Sequence, residues 1–292
     1  MRFTVRVPAT SANLGPGFDA FGLALDLCNE VVVDTGADPM VSWEGEGAEE
    51  LPTDGSDLVR RTITTVAERM QLDVPPLALH GRNRIPLARG LGSSSAATVA
   101  GVVIASRALG LGLDAGDASS VFALAAEIEG HPDNAAPATF GGFTVALPDG
   151  FVRRFEPHPD LRPVVVVPPF PLPTHEARAA LGETVPRSDA VFNAAHAALA
   201  PEAITRDPSL LRVALQDRLH QDARLELVPE AAEVFDEIRR LRVPVCVSGA
   251  GPSLLAFERD GAELSHRELG IDPAWRILRL LPRVAGFEVV ER

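Results

Sequence analysis

From Ser94 to Leu109 the chain is apolar on nearly every face, with Arg107 its one charge. A helix that is hydrophobic all round is stable in water only when neighbouring elements cover every side, so this run demands a layered fold built around it. Gly110 supplies a left-handed C-cap at its end. No apolar run reaches the roughly 20 residues that span a bilayer, so the covering layers are protein.

The stretch that launches this helix is Pro86-Leu87-Ala88-Arg89-Gly90-Leu91-Gly92-Ser93-Ser94-Ser95-Ala96. Gly90 and Gly92 permit positive φ and close backbone approach, and the serines bring hydroxyls and amides to the first turn. A helix start has unpaired amides and the positive end of the macrodipole, so phosphate can be held there largely by main-chain groups. The chain contains no lysine at all, which excludes a Walker A nucleotide loop, and the spacing lacks the third glycine of the dinucleotide fingerprint. Taken alone, the same residues also describe an ordinary N-cap after a loop.

With 292 residues and 46% hydrophobic composition, the chain has room for roughly two packed domains. Its net charge of −13 argues against nucleic acid and against an anionic membrane surface as partners. A polyphosphate would be repelled at long range too, but screening confines that repulsion to about 8 Å, so local donors, Arg84 or Arg89 and a divalent ion can prevail inside a site. Cys28 and Cys246 lie far apart within apolar runs, which predicts buried free thiols and a reducing, cytoplasmic setting. The alternating start, Phe3 to Val7, reads as a strand and lacks the apolar core of a signal peptide.

Strand patterns recur at Leu23 to Val33 and Leu77 to His80, with a helix from Leu58 to Gln71 between them. Asp117 opens a helix that runs to Glu129 and closes at Gly130, and Phe143 to Leu147 is a strand. A Pro-rich segment, Pro157 to Pro173, surrounds the short buried strand Val164 to Val167. The expected domains are therefore 1–150 and 151–292, the boundary uncertain by about ten residues. The second half predicts helices at Glu176 to Leu181, Ala190 to Leu199, Ser209 to Leu219 and Glu230 to Leu241, with strands at Val243 to Ser248, Ser253 to Phe257 and Gly286 to Val290. The class is α+β.

Three other segments carry chemistry. Pro8 to Asp19 reads as a loop between two strands, where Asn13 can donate and accept and Asp19 can take an ammonium group; a self-capped strand connection would look alike. Ala126 to Pro137 gathers Glu127, Glu129, His131, Asp133 and Asn134 around a helix end. Glu127 and Glu129 project about 200° apart, so one site can use only one of them. A carboxylate with the Ser95 hydroxyl suits Mg²⁺ when phosphates and water complete its shell, whereas zinc lacks ligands at the right spacing. Val245 to Phe257 is a strand, a Gly-Ala-Gly-Pro turn and a strand, which a tight hairpin would explain. No serine, histidine and acid share a hydrolase signature.

Pro8 to Asp19, Pro86 to Ala97 and Ser248 to Ser253 together, in that order, resemble the GHMP kinase superfamily. Ser11-Ala12-Asn13-Leu14-Gly15-Pro16-Gly17-Phe18-Asp19 and Glu129-Gly130-His131-Pro132-Asp133-Asn134 are similar to its homoserine kinase branch. The resemblance implies a two-domain fold, a ribosomal protein S5 domain 2-like half packed on a ferredoxin-like half, commonly as a homodimer. It implies ATP-dependent phosphorylation of L-homoserine, with Pro86, Leu87, Ala88, Arg89, Gly90, Leu91, Gly92, Ser93, Ser94, Ser95 and Ala96 around the ATP phosphates and Ser95 with Glu127 on Mg²⁺. It further implies Asn13, Asp19, His131, Asp133, Thr174, Arg178 and Arg224 at the amino-acid substrate, with Asn134 and Arg178 catalytic. An aspartate base of other branches is replaced here by Asn134, an amide that cannot take a proton. Alternatives left open are a mevalonate- or shikimate-type kinase of the same superfamily and a non-catalytic ATP or metabolite sensor.

Overall fold

The computed structural model describes residues 1–113, 115–259 and 261–291. Strand β1 (Arg2–Ala12) pairs antiparallel with β2 (Phe21–Asp34) along its whole length. Their register shifts between Pro8 and Ala9, where proline has no amide for the ladder, and Asp26 turns away to donate its N–H to the Leu281 carbonyl at 2.9 Å. Pro8 to Ala12, expected in a loop, are thus strand, and only residues 13–20 leave the sheet.

Strand β3 (Met40–Gly45) runs parallel to β4 (Ala78–Asn83), joined to it through helix α1 (Leu58–Met70). Asp57 caps α1 by accepting the Arg60 amide at 2.9 Å. Then come α2 (Ser93–Leu109), α3 (Ala118–Glu129), α4 (Pro132–Phe140), β5 (Phe143–Ala146) and β6 (Val152–Phe155). Every residue of α2 from Thr98 to Ser106 is buried, the fate its all-round apolarity requires. Helix α1 crosses it at Gly101, where a Cβ would stand 2.5 Å from that of Thr62.

Pro132, Pro137 and two flanking glycines give the segment of α4 the look of a turn, although a helix start after the C-cap Gly130 is also compatible with it. Pro132 occupies the first helical turn, where its missing amide costs nothing. Pro137 removes the amide that would bond the Asp133 carbonyl, and that oxygen instead lies against Gly22, 2.1 Å from where a Cβ would be.

After β6 come β7 (Pro163–Val167), α5 (Thr174–Ala179), α6 (Arg187–Thr205), α7 (Leu211–Ala214), α8 (Gln221–Glu226) and α9 (Pro229–Arg240), followed by β8 (Val245–Val247), β9 (Leu254–Phe257), α10 (His266–Leu269), β10 (Arg276–Arg279) and β11 (Glu288–Glu291). Helix α6 runs six residues past its expected end, through Pro201, and the expected Ser209 to Leu219 helix breaks into short turns before α8. The first sheet has the order β11-β1-β2-β4-β3, with β5 on β2 and β6 on β5; the second is an antiparallel β10-β7-β9-β8 sheet. Residue 150 therefore falls in the β5–β6 turn, and β6 and β11 from the second half complete the first sheet.

Strand alternation divides the interior into two cores. On β7, Val165 and Val167 join the large core around α2, while Val166 faces a smaller core with Phe235, Ile238 and Trp275. Cys28 and Cys246 are buried and free, and burial pushes both thiols up from their ordinary range. Among the described residues, no helix is long and apolar enough to cross a membrane.

Candidate active site

The glycine-serine turn lies in the seam between the two sheets, and both halves hold it. Thr10 donates its amide to the Leu91 carbonyl (3.1 Å), Leu172 donates to Ala88 (2.9 Å), and the Ser248 hydroxyl donates to Gly90 (2.7 Å). With these carbonyls turned into the protein, the turn can face the cleft with its amides. Gly90 and Gly92 have φ of 69° and 67°, and a Cβ would meet the Ser248 carbonyl at 2.1 Å or the Thr10 hydroxyl at 1.9 Å. Gly92 caps α2 without a side-chain bond, and the amides of Ser93 and Ser94 begin the helix at the cavity wall. Arg89 also lines the cavity, but its guanidinium donates to the carbonyls of Leu87, Pro168 and Pro169 at 2.8–3.1 Å. It braces the turn, which corrects the expectation of a free phosphate cation there; Arg84 lies 3.9 Å from Glu30.

One turn into α2 lies a compact oxygen cluster. Ser94 (3.1 Å), Ser95 (2.6 Å) and Thr98 (2.7 Å) all donate hydroxyls to the carboxylate of Glu129. The pairing of Ser95 with Glu127 is thereby corrected. Glu127 is on the far side of α3, largely exposed, in an ion pair with Arg69 at 2.8 Å. The two glutamates do face opposite ways, and helix phase put Glu129 inward. Thr98 follows Ser94 by four residues and Ser95 by three, which puts its hydroxyl one turn along the same face of α2 as theirs.

Asn13, Asp19, His131, Asp133, Asn134, Thr174, Arg178 and Arg224 all line the same cavity as the turn, which encloses ≈ 140 Å³. Asn13, Leu14 and Asp19 all adopt positive φ (67°, 47° and 54°), a concentration of backbone strain in one short loop. Asn13 stabilises it: its Oδ1 accepts the Asp19 amide (2.9 Å), and its Nδ2 donates to the Gly249 carbonyl (2.8 Å) across the seam. Both ends of this amide are engaged, so Asn13 shapes the wall.

Opposite charges face each other over the cavity. Thr174 and Arg178 are four residues apart on one face of α5, and Arg178 donates through both terminal nitrogens to Asp19 at 3.2 and 3.5 Å. Asp133, buried at the start of α4, accepts from His131 Nδ1 (2.9 Å) and from the Asn134 amide (2.9 Å). That hydrogen bond to Asp133 raises the pKa of His131. Asn134 accepts the Thr10 hydroxyl at its Oδ1 (2.7 Å), and its Nδ2, the donor end, makes a long bond to the Asp133 carboxylate (3.4 Å).

Arg224, on α8, is only 3% exposed, and burial lowers its pKa to about 10, so it remains a cation at neutral pH. Its Nη1 donates to the Gly249 carbonyl (2.6 Å) and to His220 Nδ1 (3.1 Å), and its Nε is buried with no partner among the described residues. His220 was not anticipated. Asp217, which accepts the amides of His220 and Gln221 at 2.9 and 2.8 Å, holds it in place at the start of α8.

The GHMP kinases N terminal domain matches residues 57–142 of this chain. The homoserine kinase of Streptomyces coelicolor is 45% identical over 94% of this chain and 90% of its own length. That of Clavibacter michiganensis subsp. michiganensis is 43% identical over 99% and 94%. A crystal structure of homoserine kinase from Cytophaga hutchinsonii superposes with a TM-score of 0.82 at 25% identity, covering 99% of this chain and 97% of that one.

Proposed function

Because the chain belongs to the homoserine kinases, a branch of the GHMP kinase family, we infer that its cleft transfers the terminal phosphoryl group of ATP to the side-chain hydroxyl of L-homoserine, giving O-phospho-L-homoserine on the route to threonine. The observation that carries this reading is one cavity: a helix start fit for phosphate shares its walls with two acids, Asp19 and Asp133, and, besides Arg89, which is taken up in bracing the turn, with two further arginines, Arg178 and Arg224. Two charges of each sign suit an ammonium and a carboxylate on one small molecule better than a neutral sugar or an isoprenoid acid.

In this reading, residues Pro86 to Ala96 wrap the ATP phosphates, with amides at the head of α2 as the main donors. The Ser95 and Glu129 oxygens form a hard, all-oxygen donor set in contact with that turn, which fits Mg²⁺, and Ser95 with Glu129 would hold it. When bound, the ion supplies neutralisation of phosphate charge. Asp19 and Asp133 receive the substrate ammonium, Arg178 and Arg224 its carboxylate, with His131, Thr174 and Asn13 shaping the pocket.

Asn134 serves to orient, since its Oδ1 is held by Thr10 and its Nδ2, the donor end beside the cavity, leans on Asp133 at 3.4 Å. Asp133 already accepts from His131 and the Asn134 amide, and Asp19 is paired with Arg178. Catalysis therefore rests on alignment and charge stabilisation, the hydroxyl proton passing to the phosphoryl group, which a loose transition state tolerates. An ADP-release assay with homoserine, mevalonate, galactose and shikimate should show turnover of homoserine alone; no turnover of homoserine would refute the assignment. In the same assay, Asn134→Asp should not raise kcat, whereas a marked rise with a new pH dependence would reveal a missing base.

The ferredoxin-like reading of the second half is supported by its strand order: β10-β7-β9-β8, fully antiparallel, with helices between β7 and β8 and between β9 and β10. Family membership likewise supports a cytoplasmic homodimer, and light scattering of the purified protein would test the pairing.

A further inference from the structure

Arg224 can donate hydrogen bonds and cannot accept one, so the His220 nitrogen that faces it must offer a lone pair. The other ring nitrogen, Nε2, faces the Gly15 carbonyl at 2.8 Å and must donate to it. The partners therefore dictate a neutral imidazole with its proton on Nε2. The ring is 1% exposed, and burial lowers its pKa, with Arg224 acting in the same direction against Asp217 and Asp19. Phe18 lies over the assembly, 5.3 Å from the His220 ring and 5.4 Å from the Arg224 guanidinium carbon.

This imidazole joins two walls of the cavity. On one side it holds the strained loop that carries Asn13 and Asp19, through Gly15. On the other it holds Arg224, whose Nη1 is thereby shared between the Gly249 carbonyl and the ring. Losing the lone pair would leave a buried cation free to rotate toward other acceptors, Asp19 among them.

We propose that His220 is a positioning residue for the amino-acid substrate: its Nδ1 lone pair fixes the rotamer of Arg224, so that the guanidinium presents its remaining donors to the substrate carboxylate. This rests on the reading of Arg224 as the carboxylate partner. The substrate class that depends on it is a small amino acid with a free α-carboxylate.

Two substitutions separate the two ends of the ring. His220→Asn places an amide oxygen near Nδ1 and keeps an acceptor for Arg224 while abandoning Gly15. His220→Gln places an amide nitrogen near Nε2 and keeps the Gly15 bond while abandoning Arg224. Calorimetric titration of homoserine into the full chain, saturated with a non-hydrolysable ATP analogue, reads the difference. His220→Gln should weaken homoserine binding about tenfold or more, and His220→Asn only about threefold or less, with affinity for the ATP analogue unchanged in both. In an Arg224→Gln background, His220→Gln should add no further loss. The proposal fails if His220→Asn is the more damaged variant, if neither weakens homoserine, or if the His220→Gln loss persists undiminished without Arg224. Should His220→Gln not fold, the retention expected of His220→Asn still decides. A wild-type chain that binds the ATP analogue but not homoserine would instead refute the functional assignment, before any variant is made.

Discussion

The two glutamates of α3 stand two residues apart and differ in their entire chemistry. The sequence showed that Glu127 and Glu129 point apart, but which one faces α2 depends on the phase at which α3 packs, and that is set by contacts far away in the chain. With Glu129 collecting three hydroxyls and Glu127 paired to exposed Arg69, the variants should separate cleanly. Glu129→Gln should raise the Mg²⁺ concentration for half-maximal rate by about 10- to 100-fold, and Glu127→Gln should leave it within about twofold. A titration of rate against Mg²⁺ checks both, and equal effects would return the site to open question. Also at this scale, the Asp133 bond raises His131 above its ordinary value. The stabilisation from this pair is fully present below the unfolded histidine pKa of about 6.5 and is lost as pH rises through the raised folded value. Asp133→Asn should bring the His131 titration, followed by NMR, back down; an unmoved midpoint would contradict the cause given.

Elements were legible where periodicity was strong. Helices α1, α2 and α9 follow from their apolar faces, as do β1 and β2. Helix α4 was obscured because its prolines carry turn statistics, and what makes it a helix is tertiary: Pro132 in the first turn and the packing of its Asp133 carbonyl against Gly22. The loss mattered for the site, since α4 is the element that points Asp133 and Asn134 into the cleft. At the turn before α2, the glycines were correctly read as close-approach positions, although the partners, Thr10 and Ser248, could not be named from spacing. Gly92→Ala would combine positive φ with a Cβ 1.9 Å from the Thr10 hydroxyl, which also holds Asn134. It should lower stability by about 1 kcal/mol or more and raise the KM for ATP, measured by urea unfolding and steady-state kinetics. A variant as stable and as active as the parent would mean the turn can shift without cost.

At the scale of the molecule, length and composition leave room for about two domains, but the way the chain interleaves its two sheets was not legible. A boundary near residue 150 assumes that each half builds its own sheet, whereas β6 and β11 return to the first one. Nothing local in Glu288-Val289-Val290-Glu291 announces that its partner is Phe3 to Arg6, nearly the whole chain away. This pairing has a further consequence. Strand β1 carries Phe3, Val5 and Val7, all buried, and β11 occupies the hydrogen-bonding edge from Phe3 to Arg6. Deleting residues 286–291 would uncover a long apolar strand edge, a template onto which a second copy could add its own strand. Such a variant should scatter light increasingly with protein concentration, while one that stays clear and unassociated would show that another segment guards the edge. Among the described residues, the sheet thus ends on β11, a short strand bounded by the charges of Glu288 and Glu291, in place of the apolar β1.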